Sequence, residues 1–238
     1  MTDPGSESEL DRLREPIDSG EELPGRADND RSVHLVTFFV VVLVVEVFDL
    51  LLATRLQFAD TLHSTASTVA ADLDVAGNAL FALFGVLAVL TLLAARHDTP
   101  RFAVPVMVGY LTVATVNVGA DVATLVGTAH LQQAGELSLL WDVGLVYAAT
   151  TLVFSLWYQL ADAYLPGGAI DFPPNGAHPD EPPRWFDYLF LSFNTNATFG
   201  PTTEGVRTRP TKALMMLQAT ISLIVLVVLI ARVVGLTN

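Results

Sequence analysis

Apolar residues run along this chain in five long blocks, separated by clusters of polar and helix-breaking residues. The blocks cover residues 33–54, 75–95, 102–127, 139–160 and 213–234. A helix needs about 20 apolar residues to cross the hydrocarbon of a bilayer, so each block predicts one spanning helix. The sharpest breaks are HDTPR at 97–101 and PGGAIDFPPNGAHPDEPPR at 166–184. Trp141 opens the fourth block, and Trp157 with Tyr158 closes it, which predicts interfacial belt positions for all three. A sixth apolar stretch, WFDYLFLSF at 185–193, is too short to span and follows Pro182 and Pro183. Proline fits the first turn of a helix, so this stretch predicts a short re-entrant or interfacial helix over residues 186–194. The polar run NTNATFGPTTEG follows it, and residues 195–202 are expected to turn back as non-helical backbone. Such backbone survives at membrane depth only where it is buried in protein or lines a wet cavity.

The expected fold is therefore all-α: a polytopic membrane helix bundle with about five transmembrane helices and one short re-entrant helix. It divides into a tail (1–31), a three-helix membrane region (32–138) and two helices flanking a pore-loop-like segment at 184–210 (139–238). The tail holds ten acids and four arginines without apolar periodicity, and reads as disordered. The expected location is the cell membrane, with the lipid bilayer as the first partner.

Composition narrows the function classes. Hydrophobic residues make up 52% of the chain and charged ones 16%, too little charge for a soluble domain of this length. There is no cysteine, which excludes disulfides and thiolate metal sites. The net charge is −13, and Lys212 is the only lysine. Acid-rich, lysine-poor composition predicts a halophilic source, because carboxylates stay hydrated in concentrated salt. It also argues against nucleic acid as a partner. The five histidines include no pair at i and i+4, and no nucleophile-elbow motif is present. The expectation is no metal, no cofactor and no enzyme.

Acids within the blocks are the first candidate chemistry, since ionisable groups inside spanning helices are costly and tend to be functional. Glu46 and Asp49 share one helix face, as do Tyr110, Asn117 and Asp121. Glu46, Asp49, Asn117 and Asp121 form a candidate intramembrane polar path. Chain direction puts Glu46, Asp49, Asp74, Asp121 and Asp142 in one half of the membrane, opposite the half from which residues 184–210 enter. Asp74 and Asp142 read as helix caps or first-turn acids at the interface.

The second candidate rests on a resemblance. Residues 139–235 resemble the pore domain of potassium channels: outer helix, short pore helix, filter, inner helix. The same stretch is similar to the last part of an uncharacterised prokaryotic multi-pass membrane protein family with a pattern like DYLFLSF…T…F. The channel filter reads Thr-Val-Gly-Tyr-Gly-Asp, and the matching positions here are Asn196, Ala197, Thr198, Phe199, Gly200 and Pro201, of which only Gly200 is identical. The resemblance implies Thr195, Asn196, Ala197, Thr198, Phe199 and Gly200 as pore-lining residues. It further implies a monovalent cation as permeant species and a homotetramer, because each chain supplies one loop. The alternative is a non-conducting membrane protein, an accessory subunit or a small-solute transporter. Lysine and arginine counts in the loops place residues 184–210 on the cytoplasmic face. A channel filter opens to the outside, so the charge count and the resemblance assign this loop to opposite faces.

Overall fold

The computed structural model describes residues 35–56, 103–127, 136–173, 182–198, 200–201 and 203–235, together with eight positions between 77 and 87. The acidic tail, Asp74 and Phe199 lie outside the described residues. Helix accounts for 85% of what is described, so the all-α class holds. The helices are α1 (Leu35–Leu56), α2 (Ala103–Gly127), α3 (Glu136–Tyr164), α4 (Trp185–Thr198) and α5 (Arg209–Gly235). Two short strands, β1 (Ile170–Asp171) and β2 (Gly205–Val206), pair antiparallel, with Ile170 opposite Val206.

Among the described residues, α1, α2, α3 and α5 are long and apolar enough to cross a membrane. The eight described positions of the 75–95 block are all helical. Gly85 of that block lies close to α1: an added Cβ would sit 3.3 Å from a ring carbon of Phe39.

The bundle is built around α3, which touches α1, α2, α4 and α5. In its apolar stretch 56% of residues are buried, against 33% in each of the other three long helices. The side chains divide in an unusual way. Thr151, Ser155, Asp162, Ser192, Asn196, Gln218 and Ser222 are buried, while Val40, Leu50, Phe186, Phe193, Val227 and Ile230 are at least half exposed or close to it. Polar groups inside and apolar groups outside suit an apolar solvent, where interhelical hydrogen bonds hold helices together.

The path of α4 follows from its partners. Tyr188 reaches Asp162, near the end of α3, while Asn196 reaches Thr151, and also Ser222 of α5. Thr151 lies thirteen residues before Tyr164, and Ser222 thirteen after Arg209, about 20 Å along each helix. So α4, 14 residues and about 21 Å long, runs inward between α3 and α5. Seven residues after Thr198 the chain is back at β2, paired with the strand that follows α3. The start of α4 and strand β2 thus lie on the same side of the bundle.

That side is tied by a buried carboxylate. Asp162 accepts the backbone N–H of Ala169 (2.7 Å) and of Ile170 (3.0 Å) on one oxygen, and the hydroxyl of Tyr188 (2.8 Å) on the other. The reversal after α3 is made by Gly167 and Gly168, whose φ values of 74° and 75° favour glycine. Phe172 then stacks edge-on against Tyr188 at 5.2 Å. An exposed ion pair, Arg207 to Asp171 at 3.0 Å, adds little because water screens it. Asp162→Ala removes the acceptor of three buried donors and is expected to destabilise the fold by about 2 kcal/mol or more. Asp162→Asn keeps an acceptor oxygen and should lose less than half as much. Thermal unfolding in detergent checks the order; equal loss by both variants would mean that charge, not hydrogen bonding, holds the turn.

The belt expectation needs correcting. Trp141 is exposed, as a belt residue would be, but α3 continues past Trp157 and Tyr158 to Tyr164. Trp157 donates to Thr115 of α2 (2.9 Å), and Tyr158 is fully buried against Gln218. Both polar tips bond neighbouring helices and are satisfied inside the bundle.

Candidate functional site

Two polar groups of side chains sit inside the bundle, on different faces of α3. The first surrounds the tip of α4. Ser192, Thr195 and Asn196 lie on the buried face of that helix, at helical spacing. Gln218 of α5 donates its amide N–H groups toward Ser192 O (2.9 Å), Ser192 Oγ (2.9 Å) and Asn196 Oδ1 (2.7 Å). Its own Oε1 accepts the hydroxyl of Tyr158. Asn196 donates to Thr151 Oγ1 (2.7 Å), and Ser222 donates to Asn196 Oδ1. Ser192 Oγ closes the circuit by donating to the backbone carbonyl of Thr151 (2.7 Å). Three helices are thus joined through two side-chain amides whose oxygen and nitrogen atoms are both in use.

This arrangement corrects the expected filter. Residues 195–198 continue the helix and do not run back as extended backbone. The reason is local: Thr195 and Thr198 donate to carbonyls one turn back, Leu191 O (2.8 Å) and Asn194 O (2.7 Å). Hydroxyl residues can satisfy themselves this way without leaving the helix. The side chains of Thr195 and Asn196 are buried, Ala197 and Thr198 are exposed, and Gly200 is half-buried. Of the six pore-lining candidates, four have helical backbone, and Phe199 lies outside the described residues. What the tip does present is a helix C-terminus. Its last carbonyls have no helical donor and carry partial negative charge.

The second group is the acidic one. Glu46, Asp49, Asn117 and Asp121 line one cavity, joined by Tyr110 and by Ala149 of α3. The Tyr110 hydroxyl donates to Glu46 Oε1 at 2.8 Å, linking α1 to α2. The 75–95 block approaches here too, for a Cβ on Gly77 would lie 3.9 Å from Asn117 Nδ2. The cavity has about 20 Å³ of room for water-sized occupants, enough for one. Among the described residues no three carboxylate or imidazole groups are placed to hold a metal ion together. Spacing puts Glu46 with Asp49 on one helix face and Asn117 with Asp121 on another, and the structure brings the two faces to the same cavity.

No protein-family model, no curated protein and no solved structure matches this chain. Its chemistry is read from the two polar groups alone.

Asp142 departs from expectation. Helix α3 begins at Glu136, so Asp142 is in its second turn, and it is buried at 5% exposure where a cap would stand in water. Missing from the sequence reading were Thr151, Ser192, Gln218 and Ser222. Their signal was present: Gln218 and Ser222 fall at i and i+4, as do Ser192 and Asn196, within otherwise apolar helices.

Proposed function

We propose that the protein is a multi-pass integral membrane protein that conducts or carries a monovalent cation. The observation that carries this reading is the cavity where Glu46, Asp49, Asn117 and Asp121 meet. Carboxylates are expensive inside a bilayer, and the negative charge of three that line one cavity favours the passage of a cation there without the convergent placement that would hold a metal ion in place. A size of one water suits a proton, sodium or potassium stripped of most of its hydration. The tip of α4 supports the same sign of charge, because a helix C-terminus directed inward attracts cations. The order long helix, half-length helix, long helix in α3, α4 and α5 fits the resemblance to a channel pore domain, and four apolar helices fit a place in the cell membrane.

The test is flux. The full chain, purified and reconstituted into liposomes, is expected to pass at least one of potassium, sodium or protons down an imposed gradient. Empty liposomes set the baseline. No flux of any of the three, at any imposed voltage, would leave the accessory-subunit reading in place of this one.

A further inference from the structure

The polar lining of the acidic cavity runs in one direction only. From the Tyr110–Glu46 bond toward the ends of α1 and α2 lie Asp49, Asn117 and Asp121. In the other direction, α1 has no polar side chain from Phe38 to Val45, and α2 has none from Ala103 to Gly109. Phe38, Val42 and Met107 are fully buried there. The described part of the 75–95 block adds apolar packing on that side, with Leu80 3.8 Å from a Cβ built on Gly109. Glu46 stands eleven residues after Leu35, about 16 Å along α1, which is half of the ~30 Å of hydrocarbon in a bilayer.

Exposure follows the same direction. Glu46, Asp49, Asn117 and Asp121 are each half-buried, whereas Tyr110 is buried with its hydroxyl on Glu46. Water needs several polar partners to stay in a cavity, and the described side chains beyond that bond offer it none. The bond also sits where little else joins the two helices. Helices α1 and α2 each pack against α3 but hardly against each other. Apolar contact gives no hydrophobic driving force between helices in lipid, so a hydrogen bond does more of the work of holding them together. One such bond is also weak enough to open and close without unfolding the bundle.

We infer, on the cation reading of the cavity given above, that the cavity is a one-ended inlet entered from the face where α1 and α2 end, and that the Tyr110–Glu46 hydrogen bond is the latch that closes its inner end. While the latch is closed, Glu46 Oε1 is engaged by Tyr110, and the two helices are tied at the level where the polar lining stops. Opening it frees that oxygen and lets α1 and α2 part, which joins the inlet to the apolar half of the bundle.

The chain contains no cysteine, so single introduced cysteines report access without background. Asn117→Cys lies in the inlet, and Val42→Cys lies beyond its closed end. The full-length variants, in right-side-out and in inverted membrane vesicles, are treated with silver nitrate in chloride-free buffer, the silver ion being a small thiol-reactive monovalent cation. Asn117→Cys should react about tenfold or more faster in one vesicle type than in the other, and Val42→Cys should react slowly in both. Equal rates for Asn117→Cys from the two sides overturn the one-ended inlet, as does Val42→Cys reacting as fast as Asn117→Cys. Tyr110→Phe removes the hydroxyl and keeps the ring. It should speed the reaction of Val42→Cys about threefold or more, the scale of one hydrogen bond in lipid, and raise cation flux in the otherwise unaltered chain by a similar factor. An unchanged Val42→Cys rate overturns the latch, as does unchanged or lower flux in a chain that conducts. If the labelling follows this pattern but no ion passes with or without Tyr110→Phe, the cation reading falls while the inlet and its latch stand.

Discussion

Gln218→Leu is expected to lower the stability of the fold by about 3 kcal/mol, read as a drop of several degrees in the thermal midpoint in detergent. Leucine fills nearly the same volume, so packing is not the main loss. The amide is. Gln218 accepts from Tyr158 and donates toward Ser192 and Asn196, all buried. Single hydrogen bonds between helices in lipid average only about 0.6 kcal/mol, which alone would give a small effect. The larger figure arises because Tyr158 and Ser192 are left facing an alkyl group that offers them nothing. A second variant separates these terms. Asn196→Leu alone should be costly, but the double variant should cost clearly less than the sum, because both singles disrupt the same circuit. Additive losses, or a Gln218→Leu loss below about 0.5 kcal/mol, would mean that the amides do not act together.

The largest functional effect is expected from the acids. Glu46→Gln combined with Asp121→Asn removes two charges while keeping size and hydrogen-bonding oxygens. Tyr110 can still donate to residue 46, so the fold should persist with a thermal midpoint close to that of the unaltered chain. Cation flux into proteoliposomes should fall about tenfold or more, equivalent to about 1.4 kcal/mol in the interaction with the ion. Replacing both by leucine should abolish flux and also destabilise, since the Tyr110 hydroxyl then loses its acceptor. If the amide variants keep full flux but melt early, the acids are interhelical glue and the ion goes elsewhere.

The helices could be read from the sequence because their limits are set by chemistry that needs no tertiary context. The block at 102–127 became α2, Ala103–Gly127, since HDTPR stops it on one side and Gly127 closes it on the other. The block at 139–160 became α3 with extra turns at both ends, Glu136–Tyr164, because Asp162 is polar in sequence yet satisfied inside the fold. Hydropathy sees the carboxylate and ends the helix early; the three groups that donate to it are seven to twenty-six residues away. The same limit explains the misplaced end of α4. Asn, Thr and Gly in NTNATFG read as loop, and only the partners on α3 and α5 make Asn196 a core residue. The acidic cavity was partly legible, since shared helix faces follow from spacing alone. Which faces meet does not, and it took Tyr110 bonding Glu46 to join α1 to α2.

The closeness of β1 and β2 also constrains how the protein is made. A ribosome delivers α3 first, then α4, then α5, and the insertion machinery accepts segments long enough to cross. At 14 residues α4 does not qualify, and the strand pair keeps both its ends on one face. Its inner partners Gln218 and Ser222 belong to α5, which is synthesised after it. On the membrane reading proposed above, the half-length helix is expected to wait at the surface while the chain behind it is threaded, and to move inward once α5 stands in place. On that reading, assembly runs out of order here: α5, translated later, is the template for α4. A nascent chain halted near residue 210 would hold α4 outside the bilayer, and one released past residue 235 would let it in.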